Sequence, residues 1–550
     1  MTQLMTWLAV TLLAFTPAFA QAADPKPVEK AIEPAIVIQA KSINALFADL
    51  KYIAKLVDQA DAIDQLEQLI AVAAGPKGLV STGLDVERPF LAYMTAASSP
   101  SDSPIGPSAI MIPISDDQTL MGFMNGFGIV PPKDKNGVYT TMAPNAPTAI
   151  HFKFAKKYLY LTAMDKSFLD DDRLIAPEKL ASADKNTLVN ISLHVDQIPD
   201  QIKQLLLGQT ELRLADIKDR NYDGESDNQQ RIRKQAIDGI SYALKSVLSE
   251  AKSIELQVSV DKDKDDLNLS FSVDGKPKTF LNNAIKFLGT GRTHLAVSDN
   301  AALHVGVNLA VPEILRGLIG VGLDKLVKET IDNEADEAKK QFARKVFAAV
   351  APTLKSGELD LHLTAAPASS KGTFNVLAGV SVKHGAKIDA VVKELVGQLP
   401  DEAKSHISLD AEKSGEMNLH KLTLDEKTID PQTQKLLGPN ACVWTGISPV
   451  AVVFGVGASG SETAGCLKSM AEGKPSPALL VSASVAALAP LDNSHAGAAQ
   501  LAETIFSAAP AGSDRVQLTL DGGAKLKLSI SFKGLLIKYF HQLHERQGDL

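Results

Sequence analysis

Cysteine is scarce in this chain: 550 residues hold two, Cys442 and Cys466. That excludes a small scaffold held together by many disulfides. Aromatic residues make up only 5%, so platforms on which bases or sugars stack are few. Basic charge is not in excess either, with 56 Lys+Arg against 64 Asp+Glu and a net charge of −8. A chain without an overall basic field has little with which to neutralise phosphates, and nucleic acid is excluded as an expected partner. Long hydrophobic runs are interrupted. Residues 436–461 carry no charge and are long enough to cross a bilayer, but Pro439, Pro449 and five glycines break them. The β-branched stretch Ala451-Val452-Val453-Phe454 fits a strand hairpin turning at Ile447-Ser448-Pro449 better than a membrane span.

What is present is ordinary globular composition, 45% hydrophobic and 22% charged, which argues against disorder and collagen-like structure. At about 150 residues per domain the length predicts three or four domains. The N-terminus opens with a short apolar run, Leu4 to Phe15, then Pro17 and the small-residue patterns Ala18-Phe19-Ala20 and Ala20-Gln21-Ala22. This reads as a signal peptide over 1–22 and predicts export to the periplasm or cell envelope, although no Lys or Arg precedes the run. The region has no cysteine to carry a lipid anchor. In an exported chain Cys442 and Cys466 are expected to form a disulfide, whose loop of about 25 residues would add roughly 3.5 kcal/mol. The alternative is two small buried apolar side chains.

The most informative feature is a repeated order of elements. Residues 187–289 read as strand, helix, longer helix, two alternating strands and a closing helix, and residues 301–399 follow the same β-α-α-β-β-α plan. Residues 34–126 and 477–545 read as related units, the last with one helix fewer. Strand-rich inserts occupy 127–172 and 400–470. The chain therefore reads as two similar halves, 30–290 and 296–546. The fold expected is α+β, with internally duplicated units whose antiparallel sheets pack against long amphipathic helices. Ile43, Phe47, Leu50, Ile53, Val57, Ala60, Ile63, Leu66 and Ile70 recur at helical spacing behind Ser42 as N-cap. Leu267, Leu269, Phe271 and Val273 alternate with Asn268, Ser270 and Ser272, as in a sheet covered on its apolar face only.

The stretch Gly83-Leu84-Asp85-Val86-Glu87-Arg88-Pro89-Phe90, the later Ile112-Pro113-Ile114-Ser115-Asp116, and Val380-Ser381-Val382-Lys383-His384-Gly385 resemble recurrent features of an uncharacterised group of exported proteins common in planctomycete bacteria. The resemblance implies export and an α+β repeat architecture. Its motifs mark strand ends and turns, and it implies no activity and no functional residues.

Few motifs carry chemistry. Asp219, Asn221, Asp223, Glu225 and Asp227, with Gly224 at the sharp turn, match the ligand spacing of a calcium loop between helical patterns. Gln230 stands where a bidentate Glu belongs. The spacing predicts a weak Ca2+ site of structural role, or else a polar helix–helix turn whose side chains satisfy their own backbone. Gly455-Val456-Gly457-Ala458-Ser459-Gly460 spells GxGxxG, but its strand is paired in a hairpin and the next strand, Leu479 to Ser484, ends without an acid for a ribose. A glycine-rich strand-to-helix turn is the expected structure. His541 and His544 stand at i, i+3 without a third zinc ligand. No catalytic residues converge. The function expected is therefore a non-enzymatic binding or interaction scaffold with a protein or apolar partner. The alternatives are a carrier of apolar (lipid) ligands, or a hydrolase whose site is assembled from distant loops.

Overall fold

A computed structural model describes residues 33–74, 78–96 and 105–548, with short breaks (the longest at 143–148 and 425–430) and 312–335 only in part. The expected signal peptide lies outside the described residues. The protein is mixed α/β, built on antiparallel sheet. It divides into two compact units, Met1–Lys262 with Val273–Pro277, and Asp263–Ser272 with Lys278–Leu550.

In the first unit β1 (Ile36–Ala40) leads into α1 (Ile43–Leu56) and α2 (Ala60–Ala74), followed by β2 (Phe90–Ala96), β3 (Ile105–Pro113) and α3 (Asp117–Gly126). Then come β4 (Tyr139–Met142), β5 (Ala149–Ala155), β6 (Tyr158–Thr162), β7 (Thr187–His194), α4 (Asp200–Asp219), α5 (Asp227–Glu250) and β8 (Ala251–Asp261). The strands pair antiparallel in the order β4-β5-β6-β3-β2-β1-β7-β8. Ser42 does cap α1, its side chain accepting from the Ala45 amide. The one long helix expected here is two, because the chain turns at Asp58, where φ is +55°. Tyr93, Tyr160, Leu91 and Met111 form the core on one sheet face. The Tyr160 hydroxyl donates to the Ile175 carbonyl at 2.8 Å, so its burial leaves no polar atom unpaired.

The second unit runs β9 (Asp266–Gly275, its last residues belonging to the first unit), α6 (Phe280–Leu288), β10 (Arg292–Val297), β11 (Leu303–Ala310), α7 (Glu337–Ser356), β12 (Glu358–Pro367), β13 (Phe374–Ser381) and α8 (Gly385–Gly397). It continues with β14 (Ile407–Ser414), β15 (Met417–Leu422), β16 (Cys442–Ser448), β17 (Ala451–Gly457), α9 (Gly460–Gly465), β18 (Leu467–Pro475) and β19 (Leu479–Ser484). Helix α10 (Ala498–Phe506), β20 (Arg515–Asp521), β21 (Leu526–Lys533) and α11 (Gly534–Gly548) close the chain. Its sheet order is β14-β15-β16-β17-β13-β12-β11-β19-β20-β21, antiparallel throughout. Residues 436–461 supply the β16–β17 hairpin, and no described helix is long and apolar enough to cross a membrane.

Strands β10 and β18 pair separately as a two-stranded ribbon. It lies close enough to β13 that a Cβ on Gly379 would meet Leu467 Cδ2 at 2.5 Å, and Leu295 of β10 packs there too. The ribbon thus covers one face of the sheet. On β11 and β12 that face carries His304, Asp360, His362 and Thr364, while on β13, β15, β16 and β17 it carries the apolar cluster of Leu377, Leu419, Trp444 and Val453. On β9, Leu267 and Val273 are buried as expected, but the central Leu269 and Phe271 are exposed and Ser270 is buried.

The expected Cys442–Cys466 disulfide is also corrected. Both are free thiols. Cys442 starts β16 with its Sγ 3.6 Å from the Asn440 carbonyl, and Cys466 caps α9 with its Sγ 3.7 Å from that of Glu462. Both are buried, Cys442 in an apolar cluster with Trp444, Leu419 and Leu467. Burial pushes the Cys466 thiol up to about 11, which leaves almost no thiolate to react at neutral pH. A reductant should therefore leave the melting temperature unchanged, and a thiol reagent should label the two cysteines only after denaturation. A drop of several degrees on reduction would reveal a bridge.

Candidate functional site

Strand β12 decides how the second unit is organised. Leu359, Leu361 and Leu363 are 38%, 39% and 45% exposed, whereas Asp360, His362 and Thr364 are 2%, 5% and 0% exposed. Alternating side chains point to opposite faces of a strand, so β12 turns its polar face inward under the ribbon and its leucines outward. Its neighbour β11 obeys the same parity, burying His304 and Asn308 and leaving Val305 and Val307 half-buried.

The buried face holds a directional hydrogen-bond chain. Asp360 Oδ1 lies 2.7 Å from His362 Nε2, which therefore carries the proton and donates. His362 Nδ1 is then an acceptor, 3.3 Å from His304 Nε2, and His304 Nδ1 accepts in turn from the Thr364 hydroxyl at 3.0 Å. The two imidazoles are stacked, 5.0 Å between centroids. Thr293 Oγ1 also lies 3.0 Å from His362 Nε2, and the second Asp360 oxygen accepts from the His294 amide at 2.7 Å and from the Ser381 hydroxyl. Every ring nitrogen is thus occupied with both histidines neutral. Burial, then the neighbouring His362 and Arg515, push His304 down to about 4. Burial pushes the Asp360 carboxyl up, but hydrogen bonds from His362, Ser381 and the His294 amide outweigh it and hold it below the usual carboxylate range.

This hydroxyl–imidazole–imidazole–carboxylate order resembles a proton relay, but Thr364 is sealed from solvent and no substrate reaches it. None of these residues was singled out from the sequence. The signal was there in Asp360-Leu361-His362-Leu363-Thr364, whose polar alternation equals its apolar one, but the histidines it joins are 58 residues apart.

A second cluster ties α8 to the sheet. His420 of β15 accepts at Nδ1 from the Asp410 amide (3.0 Å) and lies with Nε2 2.8 Å from Asp389 Oδ1. Asp410 sits at φ +49° in a break in the β14–β15 register, which is what aims its amide at the ring. Among the described residues Asp389, Asp410 and His420 are the group close enough together to hold a metal ion. However, Lys393 already places its ammonium 3.0 Å from Asp389 and 2.8 Å from Asp410, and both His420 nitrogens are engaged. The cluster's cation is its own lysine.

Of the expected calcium ligands, Asn221 and Asp223 lie outside the described residues. Asp219 ends α4, and Asp227 begins α5, both exposed. Glu225 has both carboxylate oxygens bonded to the Arg233 guanidinium at 2.7 Å, and these bonds hold it below its usual range. Arg233 also donates to the carbonyls of Ile217, Lys218 and Arg220 and stands 4.9 Å from the Tyr222 ring. An arginine fork thus supplies positive charge at this turn. Arg233 was missed because it lies outside the loop it closes, two turns into α5.

The GxGxxG stretch is a strand-to-helix turn. Gly460 is small because a Cβ there would meet the Trp444 ring at 2.5 Å. The start of α9 is taken by a side chain of the protein itself, the Glu412 carboxylate accepting from the Ser461 amide at 2.6 Å. No protein-family model, no curated protein and no solved structure matches the chain.

Two predictions follow from these charges. In the unfolded chain His304 titrates near 6.5, and in the folded protein it titrates near 4, so between those values the unfolded state binds the extra proton. Stability is full above pH 6.5 and falls as the pH drops towards 4, by up to about 3 kcal/mol. The depressed Asp360 adds to the loss only below about pH 4. Thermal melts from pH 7.5 to 4.5 should show this slope, and His304→Gln should flatten it while lowering stability at pH 7.5. At the α4–α5 turn, Arg233→Ala should lower the melting temperature by a few degrees and open the turn to limited proteolysis. Millimolar calcium should not shift the wild-type melt if Arg233 supplies the turn's counter-charge, and an upward shift would restore the calcium reading.

Proposed function

We propose that this is an exported, non-enzymatic binding scaffold of the periplasm or cell envelope, built from two copies of one sheet plan, which works through the outward apolar face of its sheet. The observation that carries the reading is the inverted β12, with three leucines in water over a sealed polar face. Cross-strand pairing extends this face in one row, from Phe454 through Ala378, Leu363, Val305, Val481 and Leu518 to Ile530. The row contains no charged or polar side chain, and Phe454, Leu363 and Ile530 are exposed. Seven strands spaced about 4.8 Å apart make this an uninterrupted apolar row about 29 Å wide.

The duplication rests on strand order. The succession β6-β3-β2-β1-β7-β8 in the first unit has its counterpart in β17-β13-β12-β11-β19-β20 of the second, element for element along the chain. A hydrolase is the weaker reading, because the one aligned hydroxyl–histidine–aspartate chain among the described residues is closed to substrate.

The test is the double substitution of Leu361→Lys with Leu363→Lys. An environment-sensitive dye, anilinonaphthalene sulfonate, should brighten on the wild-type protein and lose more than half of that emission on the variant. Stability should change by only about 1–2 kcal/mol, since both side chains are already partly in water. Equal dye emission from the two proteins would sink the reading.

A further inference from the structure

Helices α7 and α8 add a concave site to this unit. Between them runs a groove of about 370 Å3, lined by Phe342, Val346 and Val350 on α7 and by Ile388, Val391 and Leu395 on α8, among other apolar side chains. The α7 residues recur at i, i+4, i+8 and the α8 residues at i, i+3, i+7, so each helix contributes one stripe to the groove. Val350 and Leu395 are exposed. Resting on the reading of the protein as an apolar-binding scaffold, we propose that this groove holds a single unbranched acyl chain, with an anionic headgroup at Lys345.

The lining selects the occupant. It offers no donor or acceptor, so whatever lies in it has no polar group to satisfy along its length; a protein partner normally brings about one hydrogen bond per 100–200 Å2. The volume falls within the range of small-ligand pockets, roughly 300–1,000 Å3. Charge appears only beside the groove. Lys345 precedes Val346 and Glu394 precedes Leu395, and the two side chains bridge α7 and α8 at 2.8 and 3.1 Å. An exposed pair of this kind is weakly held, so a ligand carboxylate or phosphate can exchange for Glu394 on the lysine.

The walls are fixed in advance. Asp389, next to Ile388, is bonded to His420 of β15, and the Thr353 hydroxyl of α7 accepts from the Lys383 amide just before α8. Rigid walls lower the ordering cost of binding.

The test uses the full chain with a fluorescent stearate displaced by palmitate or by hexadecanol. The expected result is saturable binding at one site. Val391→Trp, which fills the groove, should weaken binding at least tenfold without lowering the melting temperature, and Lys345→Ala should weaken palmitate several-fold but not hexadecanol. Binding that survives Val391→Trp but is lost with Leu361→Lys/Leu363→Lys would overturn the groove while leaving the scaffold reading intact. So would a dimer in sedimentation that Val391→Trp dissociates, with no stearate bound, which would make the occupant a second copy. Absent binding, with Val391→Trp lowering the melting temperature, would mean that the chain covers its own groove. Failure of the dye experiment on the leucine variant, by contrast, removes the scaffold reading itself.

Discussion

Asp360 accepts hydrogen bonds from His362, the His294 amide and Ser381 in a place almost closed to water. A buried carboxylate with fewer partners would be prohibitively costly, so these bonds have to form together or the strand cannot lie this way round. Once Asp360 is held inward, the two-residue period of β12 also buries His362 and Thr364 and turns Leu359, Leu361 and Leu363 outward. A slip of one residue would flip every side chain to the opposite face. That slip would turn Asp360, His362 and Thr364 out to the solvent-facing side, away from the His294 amide and Ser381, and place leucines under the β10–β18 ribbon. The network therefore fixes register as much as it contributes stability, and the outward apolar row is its consequence on the opposite face. Three leucines left at about two-fifths exposure forgo on the order of 2–3 kcal/mol of burial. A monomer with no use for that face would be more stable with polar residues there.

Much of this architecture was legible in the sequence. The insert expected over 127–172 does hold strands β4, β5 and β6, Ser42 caps α1, and the uncharged stretch around Pro449 is a hairpin. The face each strand buries was not legible. Alternation in β9 or β12 gives two sets of side chains but does not say which set faces a neighbour. On β12 the usual assumption, apolar inward, failed because a ribbon formed from residues nearly 180 apart lies over the side that carries Asp360 and His362. The same distance in sequence hid the histidine pair, since His304 and His362 meet only because β11 and β12 are adjacent in register. Leu267, Leu269, Phe271 and Val273 likewise form the alternating set expected of them, with the two central residues turned to solvent.

The motifs that promised external ligands share one physical outcome. At each of these three places, among the described residues, a charged side chain from another element stands against the excess of charge or dipole. Glu412 lies at the start of α9, where a phosphate would lie in a dinucleotide fold. Arg233 takes Glu225 with a bidentate fork, and Lys393 stands between Asp389 and Asp410. An ion or phosphate entering any of these places would have to displace a charged group already held by two or more contacts. Spacing rules identify donor atoms at the right intervals, but they do not register a counter-charge arriving from a different element, which is why these patterns were legible and their partners were not.

The same reasoning separates catalysis from binding. A relay able to activate a hydroxyl needs that hydroxyl at a surface a substrate can reach, and here the order Thr364–His304–His362–Asp360 runs entirely beneath the ribbon. Its acceptors and donors are matched one to one with neutral imidazoles, so an added proton has no vacant nitrogen and must break a bond to enter. Such an arrangement resists proton traffic and stiffens the strands that carry it. Stiff strands make a better platform than a mobile loop for holding hydrocarbon, since apolar contacts give no directional bonds to organise a soft surface. In the binding reading proposed above, the polar side of the sheet is the frame, and the surfaces that would meet a ligand are the uncharged row opposite it and the α7–α8 groove.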